Sequence, residues 1–211
     1  FALLFQCGLR EQHSVLDVGC GSLRAGRFLI QYLLPGRYFG LEPNSWLWRN
    51  AVEKEIGPDL FDRKKPYFDE DDSFDFAKFK TKFDFIVLQS VLSHTGEAQL
   101  EHAFEQASQV VSATGQVLFT VLDETTPNYK NVPHGAQWDG WRYPGTLRYA
   151  QSEIVEKCAS VGLKAQKLGW FHPRQSWYRA VANEALLLSV DQLAQLSGGK
   201  PLFDERFESR D

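Results

Sequence analysis

Methionine is absent from the 211-residue sequence, cysteine occurs three times, and cationic residues are outnumbered by acidic ones. Each shortage excludes something. With no methionine and Phe1 in first place, the sequence is expected to be part of a longer product, or to lack residues where methionines stood. Cys7, Cys20 and Cys158 are odd in number and far apart, and no C-x-x-C pair occurs. Neither a disulfide framework nor a cysteine zinc site is therefore supported. Lys and Arg number 23 against 27 Asp and Glu, for a net charge of −4 and a pI near 5.8. That balance argues against a nucleic-acid partner, because affinity for phosphate backbones rests largely on cationic side chains. No apolar run approaches the roughly 18 residues of a membrane span. No secretory leader is recognisable, and a soluble cytoplasmic protein with no membrane partner is expected.

Aromatic side chains are plentiful by comparison: 16 Phe, 7 Tyr and 6 Trp make up 14% of the residues. A chain this long can bury a core that folds without disulfides or a structural metal. Phe1 to Cys7 reads as the end of a helix, stopped by Gly8. Ser14 to Val18 is a short buried strand that breaks into Gly19-Cys20-Gly21. Leu23 to Leu34 has helical apolar spacing through Phe28, Leu29, Tyr32 and Leu33 and ends at Pro35-Gly36. Tyr38 to Glu42 is a second strand closing on Pro43-Asn44, and Trp46 to Ile56 a second helix. Strand and helix alternating at this pace predict a parallel sheet with crossover helices.

Residues 57–82 mix charge and aromatics and are expected to be mostly loop, with one short edge strand near Tyr67. Phe83 to Leu88 is the clearest buried strand. A helix is predicted from Glu97 to Ser112, its apolar stripe at Leu100, Ala103, Phe104, Ala107, Val110 and Val111, with Gly115 as its cap. Gln116 to Leu122 is another core strand, and Asp123 to Tyr149 has no period at all. A structureless stretch of that length inside a domain is usually a functional lid or insert. Gln151 to Val161 reads as helix, Leu163–Leu168 and Ser176–Ala182 as final strands, and Glu184–Leu196 as a last helix. The expected organisation is a ligand-binding domain over 1–183 with an aromatic-rich insert at 123–149, then a C-terminal helix and tail over 184–211.

The strongest motif is Val15-Leu16-Asp17-Val18-Gly19-Cys20-Gly21-Ser22. A strand runs into a glycine-rich turn and then a helix, so the backbone can approach a ligand closely at the strand's C-terminal end. About 20 residues on, Glu42 ends the second strand, where a carboxylate can accept both hydroxyls of a ribose. The spacing suits an adenosine-containing ligand on a doubly wound sheet. A nicotinamide dinucleotide is disfavoured, because a G-x-G-x-x-G pattern would need its third glycine at Arg24.

On these residues the chain resembles the class I S-adenosylmethionine-dependent methyltransferases from about Gly8 to Ala182. Asp17-Val18-Gly19-Cys20-Gly21 matches that family's first motif and Tyr38 to Glu42 its second. Phe83 to Leu88, continuing through Gln89-Ser90-Val91-Leu92-Ser93-His94, looks like its fourth-strand motif, and Gly115 to Leu118 its fifth. The resemblance implies a doubly wound, mostly parallel seven-stranded α/β sheet with helices on both faces and its last strand antiparallel. It implies S-adenosyl-L-methionine as cofactor. Asp17, Gly19, Cys20, Gly21, Ser22 and Pro43 would border it, Glu42 would bind its ribose, and Asp72, Ser73 and Phe74 would border its adenine. Gln89 and Ser90 would line the sulfonium end. Leu23 stands where the family has a third glycine, so the turn departs from the pattern there. Arg24 then either reaches the cofactor's carboxylate or faces solvent.

Sulfonium methyl transfer asks the protein to align a nucleophile and exclude water. A base helps where the acceptor is a hydroxyl or a protonated amine, and His94, just past the fourth strand, is the best-placed candidate. The competing reading makes it a helix N-terminal histidine bonded to backbone. His134, Trp138 and Trp141 in the insert are candidate acceptor-binding residues, against a surface role for His134 and simple packing for the rings. Asp123 either binds substrate or caps its loop, and His172, before Pro173, reads as structural. The run Glu70-Asp71-Asp72 lacks histidine partners and is taken as a solvated turn, so no metal is expected. The fourth strand is not followed by the Asn/Asp-Pro-Pro-aromatic signature of resembling enzymes that methylate exocyclic base amines. A small-molecule acceptor is expected, with a non-catalytic binding module as the alternative. The methylated atom and the oligomeric state stay open.

Overall fold

The structure, a computed structural model, describes residues 1–127, 129–137 and 140–197. After helix α1 (Ala2–Gln6) come strand β1 (Val15–Val18), α2 (Gly26–Tyr32), β2 (Tyr38–Leu41), α3 (Ser45–Ala51), α4 (Pro58–Lys64) and β3 (Tyr67–Asp69). β4 (Phe83–Leu88), α5 (Glu97–Val110), β5 (Val111–Val121), α6 (Gln151–Ser160), β6 (Lys164–Leu168), β7 (Ser176–Val181) and α7 (Val190–Ser197) complete the order. The seven strands form one sheet in the order β3-β2-β1-β4-β5-β7-β6. All neighbours pair in parallel except β7, which runs antiparallel to both β5 and β6. This is the expected doubly wound α/β sheet. No helix among the described residues is long and apolar enough to cross a membrane.

The strands are apolar on both sides because helices cover both sides. Successive residues point to opposite faces. Leu16, Ile86, Leu88, Val117 and Phe119 enter one core with Leu100, Phe104 and Ala107 of α5 and Ile154 of α6. Val15, Phe85, Val87 and Leu118 enter the other with Leu29 and Ile30 of α2 and Leu3 and Leu4 of α1. Fully burying one such side chain contributes about 1.5–3 kcal/mol. The chain winds β1, β2, β3 outward, then crosses back to lay β4 on β1's free edge. That reversal opens a crevice at the C-terminal ends of β1 and β4, where doubly wound sheets bind ligands.

Several element boundaries differ from the sequence reading. The helix expected from Leu23 begins at Gly26, because Leu23 has a left-handed φ of 57°. The helix expected over Trp46–Ile56 is α3 followed by a π-helical turn at Val52–Ile56. Residues 57–82 hold a helix the reading missed: α4 starts with Pro58 and Asp59, ends on Arg63 and Lys64, and buries no residue. Its signal lay in those termini, not in an apolar stripe. Gly115 does not cap α5: the helix stops at Val110 and the chain passes directly into β5. A Cβ on Gly115 would lie 2.6 Å from the Phe83 carbonyl oxygen, so close strand packing requires the glycine. The helix expected at Glu184–Leu196 is a 3₁₀ turn at Glu184–Leu186 followed by α7.

Gly115→Ala is expected to lower stability by about 1–3 kcal/mol. Gly140→Ala, whose Cβ meets nothing within 4 Å, should change it by no more than about 0.5 kcal/mol. Urea unfolding of the two variants checks this, and equal midpoints would contradict it.

Candidate functional site

The turn after β1 is held in a left-handed course by Gly19 (φ 66°), Gly21 (φ 51°) and Leu23 (φ 57°). Gly19 and Cys20 donate their N–H groups to the Leu41 carbonyl, at 2.7 and 3.2 Å. Gly21 donates its N–H to Glu42 Oε2 at 3.1 Å. Glu42 Oε1 accepts from the backbone N–H of Asn44 (2.9 Å) and from its side-chain amide (3.1 Å). Glu42, only 7% exposed, thus joins the glycine turn to the end of β2. On the other side, a Cβ on Gly19 would sit 2.5 Å from the Val91 side chain in the turn after β4. Three of the four segments expected to meet a cofactor therefore touch.

Beneath the turn, Tyr38 donates its hydroxyl to Asp17 Oδ2 at 2.8 Å. Burial pushes the Asp17 carboxyl up to about 6, with the Tyr38 hydrogen bond pulling the other way. Asp17 thus supports the turn from inside, and Cys20 likewise turns its thiol inward against Gly40. Burial drives that thiol far above its usual range. Ser22 and Pro43 lie exposed on the rim. Arg24 and Gln89 line an open cleft of about 450 Å³ together with Phe1, Ala2, Ala25 and Phe28.

The segment after β3 is shaped by Asp71. Its carboxylate accepts the N–H groups of Ser73 and Asp75, both at 3.0 Å, and the Ser73 hydroxyl at 2.7 Å. Asp72 is left exposed, and Phe74 is half-buried at a left-handed φ of 62°, its ring edge-on to Phe76 at 6.1 Å. After β4, Ser90 has a φ of 59°. Leu23, Phe74 and Ser90 thus put three non-glycine left-handed residues in the loops at the C-terminal ends of β1, β3 and β4. The other two among the described residues, Lys65 and Lys80, only terminate short helices. A left-handed residue with a side chain costs about 1–2 kcal/mol, and such conformations gather at functional sites.

Ser90 is held by side chains from distant parts of the chain. Its N–H donates to Thr120 Oγ1 at 2.8 Å. Thr120 in turn donates to Gln175 Oε1 at 2.5 Å, and the Gln175 amide donates to Ser93 Oγ at 3.0 Å. No sequence pattern marks these residues, because they join three segments only through side-chain contact. His172 is structural, as expected: Nδ1 accepts the N–H groups of Arg174 (3.2 Å) and Gln175 (2.9 Å).

His94 sits half-buried in a 3₁₀ turn at Leu92–His94, its Nδ1 3.1 Å from the Pro144 carbonyl oxygen. A carbonyl only accepts, so Nδ1 carries a proton, and in the neutral ring Nε2 keeps its lone pair. The ring is thus bonded to backbone, the feature that the competing reading of His94 expects. The insert supplying Pro144 is docked on the turn after β4: Leu147 N–H donates to the Ser93 carbonyl at 3.1 Å. Trp141 packs against Gly96 and donates its indole N–H to the Gly145 carbonyl at 3.2 Å. His134 points elsewhere, to Glu153 of α6 at 2.7 Å, and so ties the insert to that helix. Trp138 lies outside the described residues.

Asp123 is fully buried and caps its loop. Lys167 (2.7 Å), Tyr178 (2.6 Å), Ser176 (2.8 Å) and Thr125 (2.8 Å) all reach its carboxylate. Burial alone would raise its pKa, but Lys167 and the three hydroxyls outweigh that and hold it below the usual carboxylate range.

Residues 16–117 match the methyltransferase domain family. Together with the sheet order, this makes the chain similar in fold to the Rossmann-like methyltransferases. Among solved structures, it is similar to the magnesium protoporphyrin IX methyltransferase of Synechocystis PCC 6803 with bound S-adenosylhomocysteine. The identity is 16% over 86% of this chain and 78% of that one, with a TM-score of 0.64. A TehB-like S-adenosylmethionine-dependent methyltransferase from Corynebacterium glutamicum shares 18% over 84% and 83% of the two chains, at 0.56. An O-methyltransferase of neocarzinostatin biosynthesis shares 18% over 81% of this chain and 49% of its own, at 0.59.

Asp17 and Asp123 titrate in opposite senses. Asp17 has a raised folded pKa, so its stabilising share is complete below the unfolded carboxylate range and is lost as pH rises through about 6. Asp17→Asn should therefore gain on the unsubstituted protein between pH 4 and pH 8, by up to about 3 kcal/mol. Asp123 has a lowered pKa, so its share is present above the usual range and is lost only as pH falls below it. Asp123→Asn should lose stability at pH 7 and narrow its deficit in acid. Urea unfolding across this pH range measures both, and parallel profiles would contradict the assignment.

Proposed function

We propose that this chain transfers a methyl group from S-adenosyl-L-methionine to a small-molecule acceptor with a flat or partly apolar body. The observation that carries the reading is the Gly21–Glu42 hydrogen bond at the sheet's switch point. It presents a buried carboxylate and a glycine turn to one crevice. The donor set fits an adenosine-containing sulfonium. Glu42 would accept the ribose hydroxyls, and Asp72, Ser73 and Phe74 would flank the adenine. The backbone of Gly19, Cys20, Gly21 and Ser22 would follow the methionine part, with Asp17 beneath it and Pro43 at the rim. Arg24 would pair with the carboxylate, and Gln89 and Ser90 would border the sulfonium. When bound, the cofactor supplies an already activated methyl group.

The protein's part is orientation, exclusion of water and, for a protic nucleophile, removal of a proton. His94 serves as that base through Nε2, because the Pro144 carbonyl holds its other ring nitrogen protonated. Trp141 acts through the insert, by seating the segment that carries Pro144. His134 contributes at one remove, by fastening the insert to α6. The apolar walls of the cleft, Phe1, Ala2, Ala25 and Phe28, support an acceptor with little charge. Two chains similar in fold carry small molecules in their names, magnesium protoporphyrin IX and a bound 1,4-dihydroxy-2-naphthoic acid, which favours this class.

Calorimetry should detect S-adenosylhomocysteine binding and no NAD binding. Glu42→Ala should weaken the former by about 1.5–3 kcal/mol, the worth of hydrogen bonds to a charged group. An unbiased metabolite screen with labelled cofactor then identifies the acceptor. With it in hand, His94→Ala should lower turnover most at low pH. Unchanged turnover between pH 6 and pH 9 would remove His94 as the base.

A further inference from the structure

Ser90 has a side chain and no intrinsic reason to adopt φ 59°, yet it stands in the turn where β4 opens into the crevice. Its conformation needs an outside hold, and one is present. Thr120 lies on β5, fully buried, and its single hydroxyl does two things at once. It accepts the Ser90 N–H (2.8 Å) and donates to Gln175 Oε1 (2.5 Å). The Gln175 amide closes the path onto Ser93 Oγ at 3.0 Å, back on the segment that follows Ser90. Ser93 is itself 1% exposed, so little water competes for the bonds at either end. Gln175 is fixed in turn by its own backbone N–H, which His172 Nδ1 accepts at 2.9 Å. The result is a side-chain clasp spanning the turn after β4, strand β5 and the loop between β6 and β7.

We propose that Thr120 and Gln175 are positioning residues for the methyl-donor end of the site, holding the Gln89–Ser90 turn in its left-handed form. The proposal rests on the reading above that this turn borders the sulfonium. Neither residue needs to touch the cofactor. Each acts through Ser90, by setting where the Gln89 and Ser90 backbone and side chains stand. The clasp bonds to the turn after β4 and makes no bond to the loops after β2 and β3 that would hold the adenosine. Its effect on a ligand should therefore depend on which part of the ligand is present.

The test compares S-adenosylhomocysteine with adenosine, by calorimetry on the full chain and its Thr120→Val, Thr120→Ser and Gln175→Ala variants. Thr120→Val and Gln175→Ala should weaken S-adenosylhomocysteine about tenfold and leave adenosine within about twofold; a factor of ten corresponds to about 1.4 kcal/mol. Thr120→Ser keeps the hydroxyl and should restore the parent affinity. Glu42→Ala should weaken both ligands, which marks the adenosine end. Hydrogen exchange at the Ser90 amide should be faster in Thr120→Val and normal in Thr120→Ser. Should Thr120→Val fail to fold, Gln175→Ala reads the same prediction from the other side of the clasp. Equal weakening of both ligands, or an unchanged S-adenosylhomocysteine affinity in a folded variant, overturns the proposal. If the unsubstituted protein binds neither ligand, the methyl-donor reading fails and the proposal with it. If the unsubstituted protein binds both ligands but the variants weaken both equally, or neither, the clasp alone is rejected.

Discussion

The hydrogen bond from the Gly21 backbone to the Glu42 carboxylate is the contact on which the site depends. A carboxylate this deeply buried needs donors, and Glu42 finds them in a turn after β1 and in Asn44 just beyond β2. The turn can offer Gly21's N–H only because glycine tolerates its left-handed course. The same course brings Gly19 against Val91, which fixes the distance from the first strand's turn to the fourth's. Two separately encoded strand ends thus become one surface, at the place where the sheet reverses its winding.

Around that contact the chain holds conformations it would not adopt alone. Leu23, Phe74 and Ser90 are left-handed without being glycine, and each sits in a loop facing the crevice. Each has its own support: Leu23 is fully buried, Phe74 follows the turn organised by Asp71, and Ser90 hangs on Thr120. The insert is secured from its far side. His134 bonds to Glu153, and its stem at Asp123 is gripped by Lys167 and Tyr178, so that Pro144 meets His94. Rigid framing of this kind suits methyl transfer, where alignment of the reacting atoms supplies much of the rate.

The sheet was legible in the sequence because its strands are buried on both faces. Runs such as Phe83 to Leu88 leave little room for another reading, and the glycine turn with Glu42 located the crevice. What escaped was encoded by other means. α4 has no buried residue, so its signal is confined to Pro58 and Asp59 at one end and Arg63 and Lys64 at the other. Gly115 looks like a helix cap by type, and only the Phe83 carbonyl beside it reveals a strand position. Leu23 gives no local hint of a positive φ. In the insert, the residue types suggested an acceptor site, but His134 engages α6 and Trp141 engages Gly96. Thr120, Gln175 and Ser93 are unremarkable in isolation, since their meeting depends on strand order. Position in a loop was readable; the direction a side chain takes from that loop was not.

The proposed site joins four separate loops, after β1, β2, β3 and β4, into a single ligand surface. Amide nuclear magnetic resonance during a titration with S-adenosylhomocysteine tests it most directly. Gly19 to Ser22, Glu42 and Asn44, Ser73 and Phe74, and Gln89 and Ser90 should shift together with one saturation curve, while the amides of α6 stay in place. Shifts confined to one loop, or centred on the His134–Glu153 contact, would contradict the account.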